Sequence, residues 1–437
     1  MRIEKLHIKN FRNIIEDEFY FHSNMTAAIG MNGRGKSSLL YALRVACGSY
    51  FLGIPYYEVE NRHILDNEIR RATEGKSLIR KVPVEINATG KILNSADIEK
   101  TIEWSRKITK EKGKTSSSKE DVGQIKEEGK SKYEKITEQS QENIDLPVIA
   151  FFGTSRVHGT SRKREARIGR QIFKEGYHNW KEMRSATYQY PNFLASFHVL
   201  LKEGKEYEGN KEVFFKALKD SNPYLKEVEF IGDELWIKVN LEGSETDLLP
   251  LSMHSDGTVM YIEMVAELAY RCLVLNGHKK DRAIAEATGV VMIDEIDLHL
   301  HPNWQRHVLE DLSSTFKNIQ FVVTTHSPII VQSLPAKSII NLDSREISSS
   351  PNEMPLNKVA TEIMGLKSIR SDDFNERYEK AVNKLDSLDK PLDDLTLDDY
   401  VNVSNQLATL LEDETDDPIY KAYLKAKNTK LEDETNK

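Results

Sequence analysis

The chain has 437 residues, of which 30% are charged and 39% hydrophobic, with a formal net charge of −8. Such a length suggests two or three domains of a soluble globular protein, and the acidic balance speaks against a dedicated nucleic-acid coat while leaving room for a local basic groove. Only two cysteines occur, Cys47 and Cys272, far apart and in no metal-ligand spacing; with no leader-like start and no run of about 18 apolar residues, we expect a cytoplasmic protein without disulfides or membrane contact.

Ile3, Leu6 and Ile8 predict a strand over residues 2–9, and EFYF at 18–21 predicts a second. MTAAIG at 25–30 reads as a short buried strand. It runs into GMNGRGKS, Gly30–Ser37, which fits the phosphate-loop pattern G-x-x-x-x-G-K-[ST]. Glycines let such a loop curl until successive N–H groups point at phosphate oxygens. Lys36 then supplies a cation for the β- and γ-phosphates, and the Ser37 hydroxyl can ligate Mg²⁺. Leu39, Leu40, Leu43, Val45 and Ala46 predict a helix over 36–48 whose N-terminus faces the anion. ATP is expected against Asn32, Gly33, Gly35, Lys36, Ser37 and Ser38. KVPVEINA at 81–88 predicts a further strand. From residue 107 onward Lys, Glu, Ser, Gln and Gly dominate, and so few apolar residues cannot bury enough surface to fold alone. Residues 107–145 are therefore expected to be a flexible charged insertion that can hold short helices.

Order returns at LPVIAFFGTSR, 146–156, a buried strand. The most basic stretch of the chain follows at 156–170. Arg162, Lys163, Arg164 and Arg167 suit a nucleic-acid backbone groove, and a solvated loop equally; Arg156 suits a contact to nucleotide. Residues 188–230 read as helical, with Trp180, Tyr188, Tyr190, Phe193 and Phe197 as a core aromatic cluster. Gly232-Asp233 between two alternating runs signals a hairpin over 228–241. A helix is expected to start near Thr258, just after Ser255-Asp256-Gly257. Val290 to Ile293 read as a buried parallel strand. Asp294 closes it, where a carboxylate can hold Mg²⁺, and Glu295 is placed to polarise an attacking water. Two adjacent carboxylates at a buried strand end are costly without a cation. His299 and His301 lack further ligands and are read as packing or interface residues. Another buried strand ends at Thr324-Thr325-His326, and KSIINLD at 337–343 reads as the last strand. Amphipathic segments at 375–388 and 400–414 suggest a small helical appendix.

The run KLHIKNFRN at 5–13, the phosphate loop, DEIDLHLHPNWQ at 294–305 and THSP at 325–328 together resemble the ABC-class ATPases of the SMC, RecF and OLD type. The resemblance covers residues 1–343, interrupted at 107–143. It implies an α/β fold: a P-loop sheet of ABC type with an antiparallel lobe. The ATPase would be split into 1–106 and 146–343 around the insertion, with the appendix at 344–437. It implies that Arg12 reaches nucleotide phosphates and that His326 hydrogen-bonds the γ-phosphate. Ser255 and Gly257 would be the signature that binds the γ-phosphate held by the opposite protomer, although His254 replaces the usual leucine. Asp297 would cross the dimer interface. The glutamine-bearing loop of the class has no identifiable counterpart. The 294–305 run and the short tail look like OLD-related defence ATPases, and like the PtuA-type ATPases of Septu anti-phage systems, including retron-associated ones. No nuclease motif follows the last strand, so the resemblance implies a homodimer or higher oligomer that acts with a separate HNH-type, PtuB-like nuclease. In retron versions a reverse transcriptase and its DNA join. A RecF-like repair ATPase and a non-hydrolysing nucleotide sensor are the alternatives.

Overall fold

The computed structural model describes residues 1–94, 98–157, 172–195, 209–232, 234–241, 243–344, 346–347, 349–376, 379 and 405. They belong to two compact units, Met1–Met364 and Gly365–Lys437. In the first, β1 (Arg2–Phe11) and β2 (Ile14–Tyr20) pair antiparallel. Ile3, Leu6 and Ile8 are all fully buried, although Ile3 and Leu6 differ in parity. A register irregularity between Ile3 and Lys5 shifts the pleat and turns all three to one face. After β3 (Met25–Ile29) and α1 (Lys36–Cys47), β4 (Val84–Leu93) and β5 (Glu99–Ile108) complete this lobe in the order β2-β1-β4-β5. Alternate residues of β4 are buried, and Trp104 of β5 donates its indole N–H to the Ala46 carbonyl at 2.9 Å. The lobe's apolar face thus rests on the helix behind the glycine loop.

The segment 107–145 is not the flexible insertion its composition suggests. Helix α2 (Lys119–Thr137) crosses it, and the Ser118 hydroxyl caps the helix by accepting the Asp121 N–H at 3.2 Å. Val122 and Ile125 are buried. Backbone meets backbone as well: a Cβ on Gly129 would strike the Tyr50 carbonyl, and one on Gly53 the Lys126 carbonyl. Lys132 donates to the Asp145 carbonyl at 2.7 Å. Asp121 pairs with Lys107 at 2.6 Å and accepts from Ser118 at 2.7 Å. Burial opposes ionisation of Asp121, but hydrogen bonds from Lys107, Ser116, Ser118 and Ser105 prevail and hold its carboxyl below the ordinary aspartate value. Composition asks whether a segment can make a core of its own. This helix docks on a core that other elements build, and two glycines let it approach with little side-chain volume.

The unit continues through β6 (Val148–Phe152), β7 (Leu225–Ile231), β8 (Glu234–Leu241), α3 (Asp256–Leu275), β9 (Gly289–Ile293), α4 (Pro302–Thr315), β10 (Ile319–Thr324) and β11 (Ile339–Asn341), with further elements between, among them the helix Gly209–Asp220. The central sheet is parallel throughout, in the order β11-β3-β10-β9-β6. Every residue of β3, β6, β9 and β10 is buried, as strands covered on both faces require. A parallel P-loop sheet beside an antiparallel lobe is the α/β fold the sequence predicts. Because β3 precedes the 107–145 segment and its neighbours follow it, the two expected halves share one sheet.

Smaller differences have local causes. The hairpin around Gly232, φ +66°, starts at Leu225, inside the stretch read as helical. Helix α3 begins at Asp256 rather than near Thr258. Trp180, Tyr188 and Tyr190 are core residues, while Phe197 lies outside the described residues. The first unit also runs past the expected boundary at 343: Asn341 donates to the Ile363 carbonyl at 2.8 Å, and Val359 and Ile363 are buried. In the second unit residues 372–376 are helical; the predicted segments at 375–388 and 400–414 lie almost wholly outside the described residues.

The two glycines of α2 separate helix propensity from docking. A Cβ on Gly123 meets only the flexible Lys119 side chain, so Gly123→Ala should raise stability by up to about 1 kcal/mol. Gly129→Ala should lower it by about 1–3 kcal/mol. Urea unfolding of both variants checks this, and equal shifts would mean that α2 does not dock.

Candidate functional site

The carboxyl ends of β3, β10, β9 and β6 lie along one edge of the parallel sheet, and their loops converge there. After β3 the chain enters the glycine loop, where Gly30, Gly33 and Gly35 have φ of +144°, +83° and +109°. Side chains rarely tolerate that backbone, so glycine is what permits the curl. Lys36 folds back on the loop and donates to the Gly30 carbonyl at 2.7 Å and the Met31 carbonyl at 3.2 Å. Asp343, beyond β11, secures the outer side by accepting the Met31 N–H at 2.7 Å and pairing with Arg34 at 2.9 Å. On the other side Asn13 donates to the Gly33 carbonyl and accepts from Ser38 at 2.7 Å. Arg12 donates to the Ser38 hydroxyl at 3.2 Å and lies 4.6 Å from the centre of the Tyr41 ring.

Strand β9 delivers Asp294, 4% exposed. Its Oδ1 accepts from Ser37 at 3.2 Å and from Thr324 at 2.6 Å. Glu295 follows in a left-handed conformation, φ +50°, and donates its N–H to the Thr324 hydroxyl at 2.8 Å. His326, beyond β10, is exposed, and its backbone N–H donates to Asp297 at 3.4 Å. A cavity of about 360 Å³ lies between these loops, lined by Arg12, Asn13, Asn32, Gly33, Gly35, Lys36, Ser37, Ser38, Asp294, Glu295 and His326. Except for Arg156, the residues expected to act on nucleotide within one chain therefore line one cavity. Burial lowers the Lys36 pKa from its ordinary value, and the carboxylates of Asp343, Asp294, Glu295 and Asp297 pull it back. A partly desolvated ammonium of this kind gains most from a bound anion.

Among the described residues no cluster of three or more His, Cys, Asp or Glu could hold a metal unaided. Ser37 and Asp294 do present adjacent oxygen donors on the cavity wall. That donor set suits Mg²⁺, which takes one or two protein oxygens and completes its shell from phosphates and water.

Ser255 and Gly257 are not on this wall. They stand at the start of α3, where the Ser255 hydroxyl is 2.9 Å from that of Thr258 and makes no capping bond. Gly257 packs so closely that an added Cβ would strike the carbonyl of His299, itself at φ +61°. His301 accepts the Asn303 N–H at 3.3 Å and caps α4. Arg156 is corrected: it is 4% exposed and gives its guanidinium to main-chain carbonyls rather than to the cavity. Arg162, Lys163, Arg164 and Arg167 lie outside the described residues. Sequence reading missed Asn13, Thr324 and Asp343. The signal available for the last two was the one used for Asp294, a polar residue ending a buried apolar run.

A curled glycine loop before a helix, its lysine, and an acidic strand end facing it define a P-loop nucleotide-binding protein. Residues 5–231 match the family model described as an AAA domain, and residues 187–331 match that of an AAA ATPase domain. The chain belongs to the AAA domain family and is an ATPase of that type. It is similar to the retron Vc95 probable ATPase of Vibrio cholerae serotype O1 biovar El Tor, 25% identical over 401 residues that cover 78% of this chain and 74% of that one. The retron Ec83 probable ATPase of Escherichia coli is 25% identical over 418 residues, covering 80% and 73% respectively. The Septu protein PtuA of Bacillus mycoides (strain KBAB4) is 24% identical over 339 residues, covering 76% of this chain and 39% of its own. Among solved structures, the SMC head domain from Thermotoga maritima aligns with 78% of this chain and 94% of that chain, at 14% identity and a TM-score of 0.41. The SmcHead bound to the C-winged helix domain of ScpA aligns over the same shares, at 15% identity and a TM-score of 0.44.

The Gly257 contact is directly testable. Gly257→Ala should displace the loop at 297–301 or lower stability by about 1–3 kcal/mol, the usual cost of overpacking. Unfolding and hydrogen exchange at that loop measure it; a silent substitution would mean that α3 and the loop are not in contact.

Proposed function

We propose that the protein hydrolyses ATP with Mg²⁺ in the cavity at the sheet edge, within a head-to-tail pair of chains, and that this controls a separate nuclease of a bacterial anti-phage complex. One observation carries the chemistry: Lys36, Ser37, Asp294, Glu295 and His326 line a single cavity although they follow three different strands. Lys36 and the loop N–H groups hold the β- and γ-phosphates, with Arg12, Asn32 and Ser38 at their edge. Mg²⁺, held by Ser37 and Asp294, would neutralise charge that develops on the phosphates. Glu295 orients the attacking water and takes its proton, and His326 donates to a γ-phosphate oxygen. Ser255 and Gly257 do not line the cavity of their own chain. They act in this reading from the second copy, whose α3 N-terminus closes on the γ-phosphate.

Similarity to the retron and Septu proteins over most of the chain favours the defence role over a RecF-like one. The partner would be an HNH-type nuclease. Arg162, Lys163, Arg164 and Arg167 would contact nucleic acid. No described helix is long and apolar enough to cross a membrane, and the reading places the complex in the cytoplasm.

Glu295→Gln should leave ATP binding intact and cut hydrolysis by about 10²–10⁴-fold, the scale of a general acid–base group. It should accumulate a closed pair of chains with ATP but not with ADP, and Ser255→Arg should abolish that pair. Phosphate release and small-angle scattering test this; unimpaired hydrolysis in Glu295→Gln would sink the catalytic assignment. Changing the four basic residues to Glu should weaken nucleic-acid binding and flatten its salt dependence, as filter binding across a salt series would measure.

A further inference from the structure

Glu295 sits at φ +50°, a left-handed backbone conformation that a non-glycine residue adopts only at an energetic cost. Such strain persists only where the surroundings over-determine it. Here they do. The N–H of Asp294 is held by the Phe152 carbonyl at 2.8 Å, and that of Glu295 by the Thr324 hydroxyl at 2.8 Å. The two carbonyls are held by one side chain. Arg156 donates from Nη1 to the Asp294 carbonyl at 2.5 Å and from Nη2 to the Glu295 carbonyl at 2.6 Å. Nη1 also reaches the Gly153 carbonyl at 3.0 Å, which ties the fork to the loop behind β6. Placing a guanidinium at 4% exposure is costly. Only a planar, rigid fork spans two successive carbonyls in this way; a lysine ammonium has no such geometry.

We propose that Arg156 is a positioning residue for ATP hydrolysis: its guanidinium, clipped to the Asp294 and Glu295 carbonyls, keeps the Glu295 backbone in the left-handed turn that presents its carboxylate to the phosphate cavity. Thr324 completes the clamp from the amide side. The proposal rests on the reading of Glu295 as the water-orienting group. It gives Arg156 no contact with nucleotide, so its loss must act on the chemical step and not on binding. Misplacing a catalytic group by about 1 Å is enough to cost about 10²-fold in rate.

The experiment compares Arg156→Ala, Arg156→Lys and Glu295→Gln, singly and with Arg156→Ala and Glu295→Gln combined. Steady-state phosphate release gives kcat, and titration with a non-hydrolysable ATP analogue gives affinity. Arg156→Ala should lower kcat by roughly ten- to hundredfold with analogue affinity unchanged, and Arg156→Lys should recover part of it. In the Glu295→Gln background Arg156→Ala should lower the residual rate no further, because it acts through Glu295. Full kcat in Arg156→Ala, parallel loss of affinity and kcat, or an equal further loss in the double variant would each overturn the proposal. Full hydrolysis in Glu295→Gln alone would instead remove the reading beneath it. Should Arg156→Ala fail to fold, Thr324→Val against Thr324→Ser reads the same clamp from the amide side. Slow hydrolysis restored by the serine hydroxyl supports it, and full hydrolysis in Thr324→Val overturns it.

Discussion

Parallel pairing of four buried strands brings their carboxyl ends to a common edge, and the site hangs from that edge. Met25–Ile29, Ile319–Thr324, Gly289–Ile293 and Val148–Phe152 are buried along their whole lengths and pair in register. Each strand therefore ends where water and polar groups first become available. The glycine loop, Thr324, Asp294 and Arg156 belong to those ends. Open parallel sheets bind ligands at such edges because the backbone must leave the ladder there and its polar groups need new partners.

Those partners are largely side chains. Thr324 serves two neighbours at once, donating to Asp294 and accepting from Glu295. Arg156 collects the carbonyls on the far side, and Asp343 holds the start of the glycine loop. Positive-φ residues gather around the cavity, Arg12, Gly30, Gly33, Gly35 and Glu295, and His299 follows four residues after Glu295. For the glycines this conformation is nearly free; for Glu295 and His299 neighbouring contacts must impose it. The close approach of Gly257 to His299 also links the start of Asp256–Leu275 to the loop that follows Glu295. A shift at either one is felt by the other within a single chain.

Legibility in the sequence followed the kind of physics involved. Continuous apolar runs revealed the central strands, because complete burial leaves few residue types possible. The docking of the Lys119–Thr137 helix was hidden because it depends on Val122, Ile125 and the missing side chains of Gly53 and Gly129. An absent side chain carries no composition signal. Arg156 was misread for a related reason. At the head of a basic run an arginine looks like a cation available to a nucleotide, and nothing local reveals that carbonyls from a strand far along the chain will receive it.

The phosphate loop, the acidic strand end and the buried strands that lead into them are legible in the sequence alone. These depend on local backbone freedom and on apolar runs, both written in consecutive residues. Which groups brace the walls of the cavity is set by tertiary packing: Asn13 against the glycine loop, Thr324 between Asp294 and Glu295, Asp343 on Met31 and Arg34, and Arg156 beneath the Glu295 turn. Each of these contacts joins residues remote in the chain. They form because neighbouring strand ends leave backbone and carboxylate groups that burial does not allow to remain unpaired.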